Sequence, residues 1–197
     1  IDQVFTRGEP RPAADYQVPL GSLAGIVMSD SNNIPVPEGY LKAGPDRKEH
    51  WCQLLNSLSR VDKPKIGLVW GGRKSRLNAN RSMELQHLLP LFDAVDANWF
   101  SLQLGDDRQQ LQQCDNPVID LADYLTDFGE AAAATSNLDL LISIDTATAH
   151  LAGALGVPVW VMLKSSADWR WLRDRSDSPW YSSARLFRQK DAGDWQP

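Results

Sequence analysis

In Leu138-Asp139-Leu140-Leu141-Ile142-Ser143-Ile144-Asp145-Thr146-Ala147-Thr148-Ala149-His150-Leu151-Ala152-Gly153-Ala154-Leu155-Gly156, an apolar run of strand length stops at Asp145-Thr146. Small residues suited to a helix follow directly. Gly156 ends that helix and Pro158 prevents it from resuming. The pattern is a buried strand whose C-terminal tip feeds straight into a helix N-terminus. Unsatisfied N–H groups and the positive end of the helix dipole gather there, beside hydroxyls and one histidine. Such a place suits an anion, typically a phosphate.

Outward from this stretch the chain alternates. Residues 65–70 (Lys-Ile-Gly-Leu-Val-Trp) form a short buried-strand pattern after Pro64. The loop that follows, 71–81, opens Gly71-Gly72 and carries Arg73, Lys74, Arg76 and Arg81 with no acid. Ser82 is placed to cap a helix with Leu85, Leu88, Leu89 and Phe92 on one face. A strand at 98–102, a polar helix at 106–113 and a strand at 117–121 come next. Asp127 is placed to cap an alanine-rich helix at 128–136, and a fifth strand lies at 159–163. Upstream, 46–58 reads as a helix capped by Asp46, with Trp51, Leu54, Leu55 and Leu58 at helical spacing. Apolar strands alternating with helices predict an α/β fold, a Rossmann-like doubly wound parallel sheet of order 3-2-1-4-5.

Residues 1–45 differ. Six prolines and five glycines leave little room for a long helix, so only 1–5 and 23–28 are candidates for short elements. The expected organisation is an irregular N-terminal arm over 1–45, the remnant of a preceding domain plus a linker, followed by a Rossmann-like domain over 46–197. At 197 residues and 43% hydrophobic the chain can bury one core. Its formal charge of −5 disfavours wholesale nucleic-acid binding, and its apolar runs are too short for a membrane span. Cys52 and Cys114 lie outside any metal-like spacing and are read as thiols of a cytoplasmic protein, with a single disulfide as the other reading.

In a doubly wound sheet, ligands bind beyond the strand C-termini where strand order reverses. Loop 71–81 and residues 145–148 meet at that point. A third segment, 164–190, adds seven basic residues against three acids. This convergence marks Gly71, Gly72, Lys74, Arg81, Asp145, Thr146, Thr148 and His150 as candidate binding residues. Bland readings stand beside it: a tight turn for the glycines, a solvated loop for the arginines, helix capping for Asp145 and Thr146, and core or interface for the four tryptophans at 160–180. His150 lies one helical turn after Thr146, on the same face. At a helix N-terminus its cationic form is expected to be disfavoured until an anion arrives. No G-x-G-x-x-G, no phosphate-loop pattern and no zinc spacing is present.

At Ile66-Gly67-Leu68-Val69-Trp70-Gly71-Gly72, Asn80-Arg81-Ser82, Phe100-Ser101-Leu102-Gln103 and the Asp145-Thr146…His150 block, the sequence resembles the C-terminal half of glycosyltransferase family 9, the heptosyltransferase-like GT-B enzymes. The later runs 168–172, 177–181 and 185–189 resemble the bacterial branch linked to tetratricopeptide repeats. The resemblance covers about residues 46–195. It implies a donor-binding Rossmann-like domain for a nucleotide-diphosphate sugar, with no further cofactor and no metal. Asp145, Thr146 and His150 would then lie at the diphosphate, Gly72 and a basic residue of its loop near the phosphates, and Gln103 near base or ribose. Ala147 replaces the usual glycine, and Gln103 a common acid. The catalytic residue of such enzymes comes from the other domain, so none is expected in this chain, and the acceptor, glycan or protein, is open. The competing reading is a non-catalytic module of the same fold that binds proteins through its tryptophan-rich tail.

Overall fold

A computed structural model of the chain describes residues 4–6, 8–10, 12–27, 34, 39–73, 81–113, 115 and 117–195. The chain divides into two compact units, Ile1–Pro35 and Val36–Pro197. The first contains helix α1 (Leu20–Val27), and Val4 and Phe5 are in no strand.

The second unit is built on six parallel strands: β1 (Lys65–Val69), β2 (Asn98–Ser101), β3 (Val118–Asp120), β4 (Leu140–Ile144), β5 (Val159–Leu163) and β6 (Ala184–Arg188). Their spatial order is β3-β2-β1-β4-β5-β6. The expected 3-2-1-4-5 arrangement is therefore present, with a sixth strand added. Residues of β1 alternate between two cores. Val69 joins Phe100, Leu141 and Val159 on one face, with Trp51 and Leu55 of α2 (Pro45–Leu58), Ala133 and Ala134 of α4 (Phe128–Thr135), and Ala149 and Ala152 of α5 (Ala147–Leu155). Leu68 joins Trp99 and Ile142 on the other, under Met83, Leu85, Leu88 and the partly buried Phe92 of α3 (Leu89–Ala94). Burial on both faces explains the unbroken apolar runs of β1 and β4.

Several local expectations change. Helix α2 starts one residue early, with Gly44 at its N-cap and Pro45 in the first turn, so Asp46 does not cap it. Proline is well placed there, because its missing N–H would have no partner anyway. Asp127 does cap α4, accepting from the Glu130 N–H at 2.8 Å. It also holds Arg47 of α2 at 2.8 Å, while Trp51 donates its indole N–H to Glu130 at 2.6 Å. The single helix expected after Ser82 is instead a 3-10 turn (Leu85–Leu88) followed by the short α3. Pro90 gives the reason: it lacks the donor and its ring crowds the preceding turn, so no α-helix runs unbroken from 85 to 92. The polar helix at 106–113 is likewise a 3-10 helix, Asp106–Gln112. Cys52 is a free thiol, and Cys114 lies outside the described residues.

Helix α5 follows the opening pattern closely. Thr146 is its N-cap residue and Gly156 its left-handed C-cap at φ 75°. Neither Asp145 nor Thr146 caps it through a side chain; the Thr146 hydroxyl instead meets Ser143 Oγ at 3.0 Å. Gly153 faces the ring of Tyr181, and a Cβ there would fall 2.3 Å from Tyr181 Cγ. Gly153→Ala is therefore expected to destabilise the fold by about 1–3 kcal/mol through overpacking, against its gain in helix propensity. Urea unfolding of the two proteins would measure it; equal or greater stability of the variant would contradict the packing argument.

Candidate functional site

Because β1 and β4 are direct neighbours, the loop after β1 and the mouth of α5 open side by side. Two clefts meet there, sharing Thr146 and Ala147. The first, about 550 Å³, is lined by Gly71, Gly72 and Arg73, by the segment after β2, and by Thr146–Thr148 on the α5 side. The second, about 430 Å³, brings Arg81, Asp145 and His150 together with Asp168, Arg170 and Tyr181. Of the residues picked from sequence, Gly71, Gly72, Gln103, Thr146 and Thr148 thus line one cleft, and Arg81, Asp145, Thr146 and His150 the other. Lys74 lies outside the described residues.

Two of these residues shape the β1 loop. The buried Gln103 side chain accepts from the Trp70 and Gly71 N–H groups at 3.0 and 2.7 Å. It also donates to the Gly71 and Leu104 carbonyls. These four bonds all go to backbone, so it fixes the path of the chain leaving β1. The Gly72 N–H donates to Ser82 Oγ at 3.0 Å, the bond Ser82 makes instead of capping a helix.

Asp145 is the centre of the second cleft. It is 7% exposed; its carbonyl accepts from Arg81 Nη1 at 3.1 Å, and its carboxylate lies 3.6 Å from Arg81 Nη2. The other carboxylate oxygen lies 3.6 Å from His150 Nε2, an ion-pair distance rather than a hydrogen bond. Burial by itself would raise the Asp145 carboxyl, but His150, the Trp171 indole and the Arg81 charge together hold it below the ordinary aspartate value. The buried Trp171 N–H acts on Asp145 without a hydrogen bond of ordinary geometry. The structure thus sets a carboxylate beside His150, a neighbour that sequence spacing did not reveal.

The far side of His150 was also hidden. Its Nδ1 lies 3.1 Å from the Tyr181 hydroxyl, and its ring stacks on Trp171 at 4.9 Å and 15°. Thirty-one residues separate His150 from Tyr181, and only β6 and the turn before it bring them together. The expectation of a basic cluster after β5 is corrected: of its seven cations only Arg170 lines the cleft, and it is paired with Asp168 at 2.8 Å. Arg175 pairs with Asp177, and Arg188 donates to the Trp171 and Leu172 carbonyls. Among the tail tryptophans Trp171 is core, whereas Trp169 is exposed.

No family model matches the sequence. The FlbA protein of Caulobacter vibrioides is 28% identical over 193 residues, which span 93% of this chain and 31% of FlbA. The chain is therefore about a third the length of that relative. Among solved structures, a family 9 glycosyl transferase from Veillonella parvula superposes with a TM-score of 0.56 at 14% identity, covering 76% of this chain and 42% of that one. This chain shares the Rossmann-like α/β fold of that structure. The E. coli ADP-heptose lipopolysaccharide heptosyltransferase II agrees, with a TM-score of 0.55 at 16% identity over 82% of this chain and 49% of that one. Among the described residues, no helix is long and apolar enough to cross a membrane.

Since the folded Asp145 carboxyl lies below its ordinary value, the native state binds fewer protons there than the unfolded chain. The stability this contributes is complete above the ordinary aspartate value of 3.8 and is lost as pH falls through the folded value. Asp145→Asn should therefore lose less stability than the natural chain between about pH 5 and pH 3, measured by urea unfolding. Parallel pH profiles would contradict the geometry.

Proposed function

We propose that the Val36–Pro197 unit binds a nucleotide-diphosphate sugar and acts as the donor half of an inverting, metal-independent glycosyltransferase. The observation that carries this reading is the pair of clefts meeting at Thr146 and Ala147, on the N-terminus of α5. A ligand with a nucleoside at one end and a sugar at the other has the matching form, with its diphosphate over the shared wall. The helix N–H groups and dipole favour that charge, Arg81 and Arg170 add cations around it, and the His150 ring lies beside them. The first cleft, with Leu102 and Leu104 among its walls, suits base and ribose. The second, with Asp168, Arg170 and Tyr181, suits sugar hydroxyls.

In this scheme positive groups stabilise the diphosphate as it leaves, and a base on another part of the protein deprotonates the acceptor. A cytoplasmic location, a glycan or protein acceptor, and partnership with upstream tetratricopeptide repeats belong to the same proposal. The likeness to glycosyltransferase structures supports it at the level of fold. The alternative of a protein-binding tail loses support from Trp171, which is buried and forms a wall behind His150.

Calorimetric titration with ADP, UDP and GDP tests the reading: the folded chain should bind at least one, and binding of none would remove it. Arg81→Ala should weaken binding by about 10–100-fold, the loss of charge-assisted hydrogen bonds worth about 1.5–3 kcal/mol. His150→Ala should weaken binding as well; unchanged affinity would exclude His150 from the site.

A further inference from the structure

Each nitrogen of the His150 ring faces a different kind of group. Nε2 lies 3.6 Å from the Asp145 carboxylate, which can only accept when ionised. Nδ1 lies 3.1 Å from the Tyr181 hydroxyl, which can donate or accept. We propose that Tyr181 is the positioning residue for His150, its hydroxyl donating to Nδ1 so that the neutral ring carries its proton on Nε2, towards Asp145 and the second cleft.

The argument is one of satisfiable pairs. With the proton on Nδ1, the Nε2 lone pair would face a carboxylate, a repulsive contact inside a partly buried site. With it on Nε2, both contacts are attractive, provided that Tyr181 donates. Its phenol is equipped to do so. Burial, together with the charge of the neighbouring Tyr40 and a hydrogen bond with it, raises it above the ordinary tyrosine value against the pull of Arg170, so it keeps its proton. The Tyr40 hydroxyl can donate to the phenol oxygen, which leaves the Tyr181 proton for Nδ1. The other charged groups around the ring are Arg81, on the far side of Asp145, and the Asp168–Arg170 pair in the same cleft. Among the described residues, Tyr181 is the hydrogen-bond partner of Nδ1.

The fold reserves space for this arrangement. Gly153 leaves room for the Tyr181 ring, and Trp171 lies nearly parallel to the imidazole at 15° and sets its plane. Because a phenol oxygen also accepts, the contact survives protonation of the ring: Nδ1–H then donates to Tyr181. In either charge state an N–H at Nε2, never a lone pair, faces the cleft. For a diphosphate oxygen that is the difference between a donor and a repelling lone pair. This last step rests on the reading of the cleft as a diphosphate site; the proton assignment does not.

Nitrogen-15 NMR decides the assignment. The chain has three histidines, His50, His87 and His150, so His150→Ala identifies the resonances. At about pH 8, where a reference imidazole is neutral, His150 should show a protonated Nε2 and a hydrogen-bonded, unprotonated Nδ1. Tyr181→Phe keeps the ring against Gly153 and should move Nδ1 downfield, towards a free lone pair, while Nε2 stays protonated. A proton on Nδ1 in the natural chain overturns the proposal without any variant, and an Nδ1 resonance unmoved by Tyr181→Phe does so as well. The same variant should bind ADP roughly tenfold more weakly at pH 8, the loss of one hydrogen bond worth about 1.4 kcal/mol. If the natural chain binds no ADP, the diphosphate reading falls, while the spectrum still decides the proton.

Discussion

The direct parallel pairing of β1 with β4 is the constraint on which the rest of this domain depends. Gly67 opposite Leu141 and Leu68 opposite Ile142 fix the register, and from there the chain can only run outward in both directions. Two connections leave the same end of neighbouring strands and diverge to opposite sides, leaving an opening between them. The Gly71–Gly72 backbone forms one lip, held by the Gln103 amide; the α5 N-terminus forms the other. Both clefts descend from that one pairing.

The fold was legible because its strands are buried on both faces and its helices are bounded by glycine and proline. Residues 138–156 needed nothing from elsewhere: apolar strand, polar tip, small-residue helix and Gly156 all appear in order. Strand β6 was not legible. Ala184-Arg185-Leu186-Phe187-Arg188 alternates like a half-exposed edge, and its arginines read as a basic surface segment. The broken helix after Ser82 was missed because apolar spacing was weighed above the proline at 90.

The candidate site was legible in its backbone and opaque in its side-chain chemistry. Sequence identifies a helix mouth and a glycine loop at strand ends, since topology alone places them. It does not say that Asp145 turns its carboxylate towards Arg81 and His150 rather than towards the helix N–H groups. Nor does it bring Tyr181 and Trp171 around His150, because those contacts depend on a return of the chain through β6. Gln103 shows the same limit: the resemblance places it near base or ribose, and only the structure reveals that its amide, at the wall of the first cleft, bonds the neighbouring backbone.

One feature of β6 bears on how such a domain coexists with others. An edge strand with open N–H and C=O groups invites further strands from another chain. Here the Leu186 N–H already donates to the Ser176 carbonyl at 2.8 Å, and Asp177 bridges Arg185 in antiparallel fashion. At the opposite edge, β3 is only three residues long. The growing sheet is stopped at both margins, by a returning turn on one side and by brevity on the other. A domain closed in this way can stand in a longer or crowded polypeptide without recruiting foreign strands, and leaves its loops as the surface that meets other molecules.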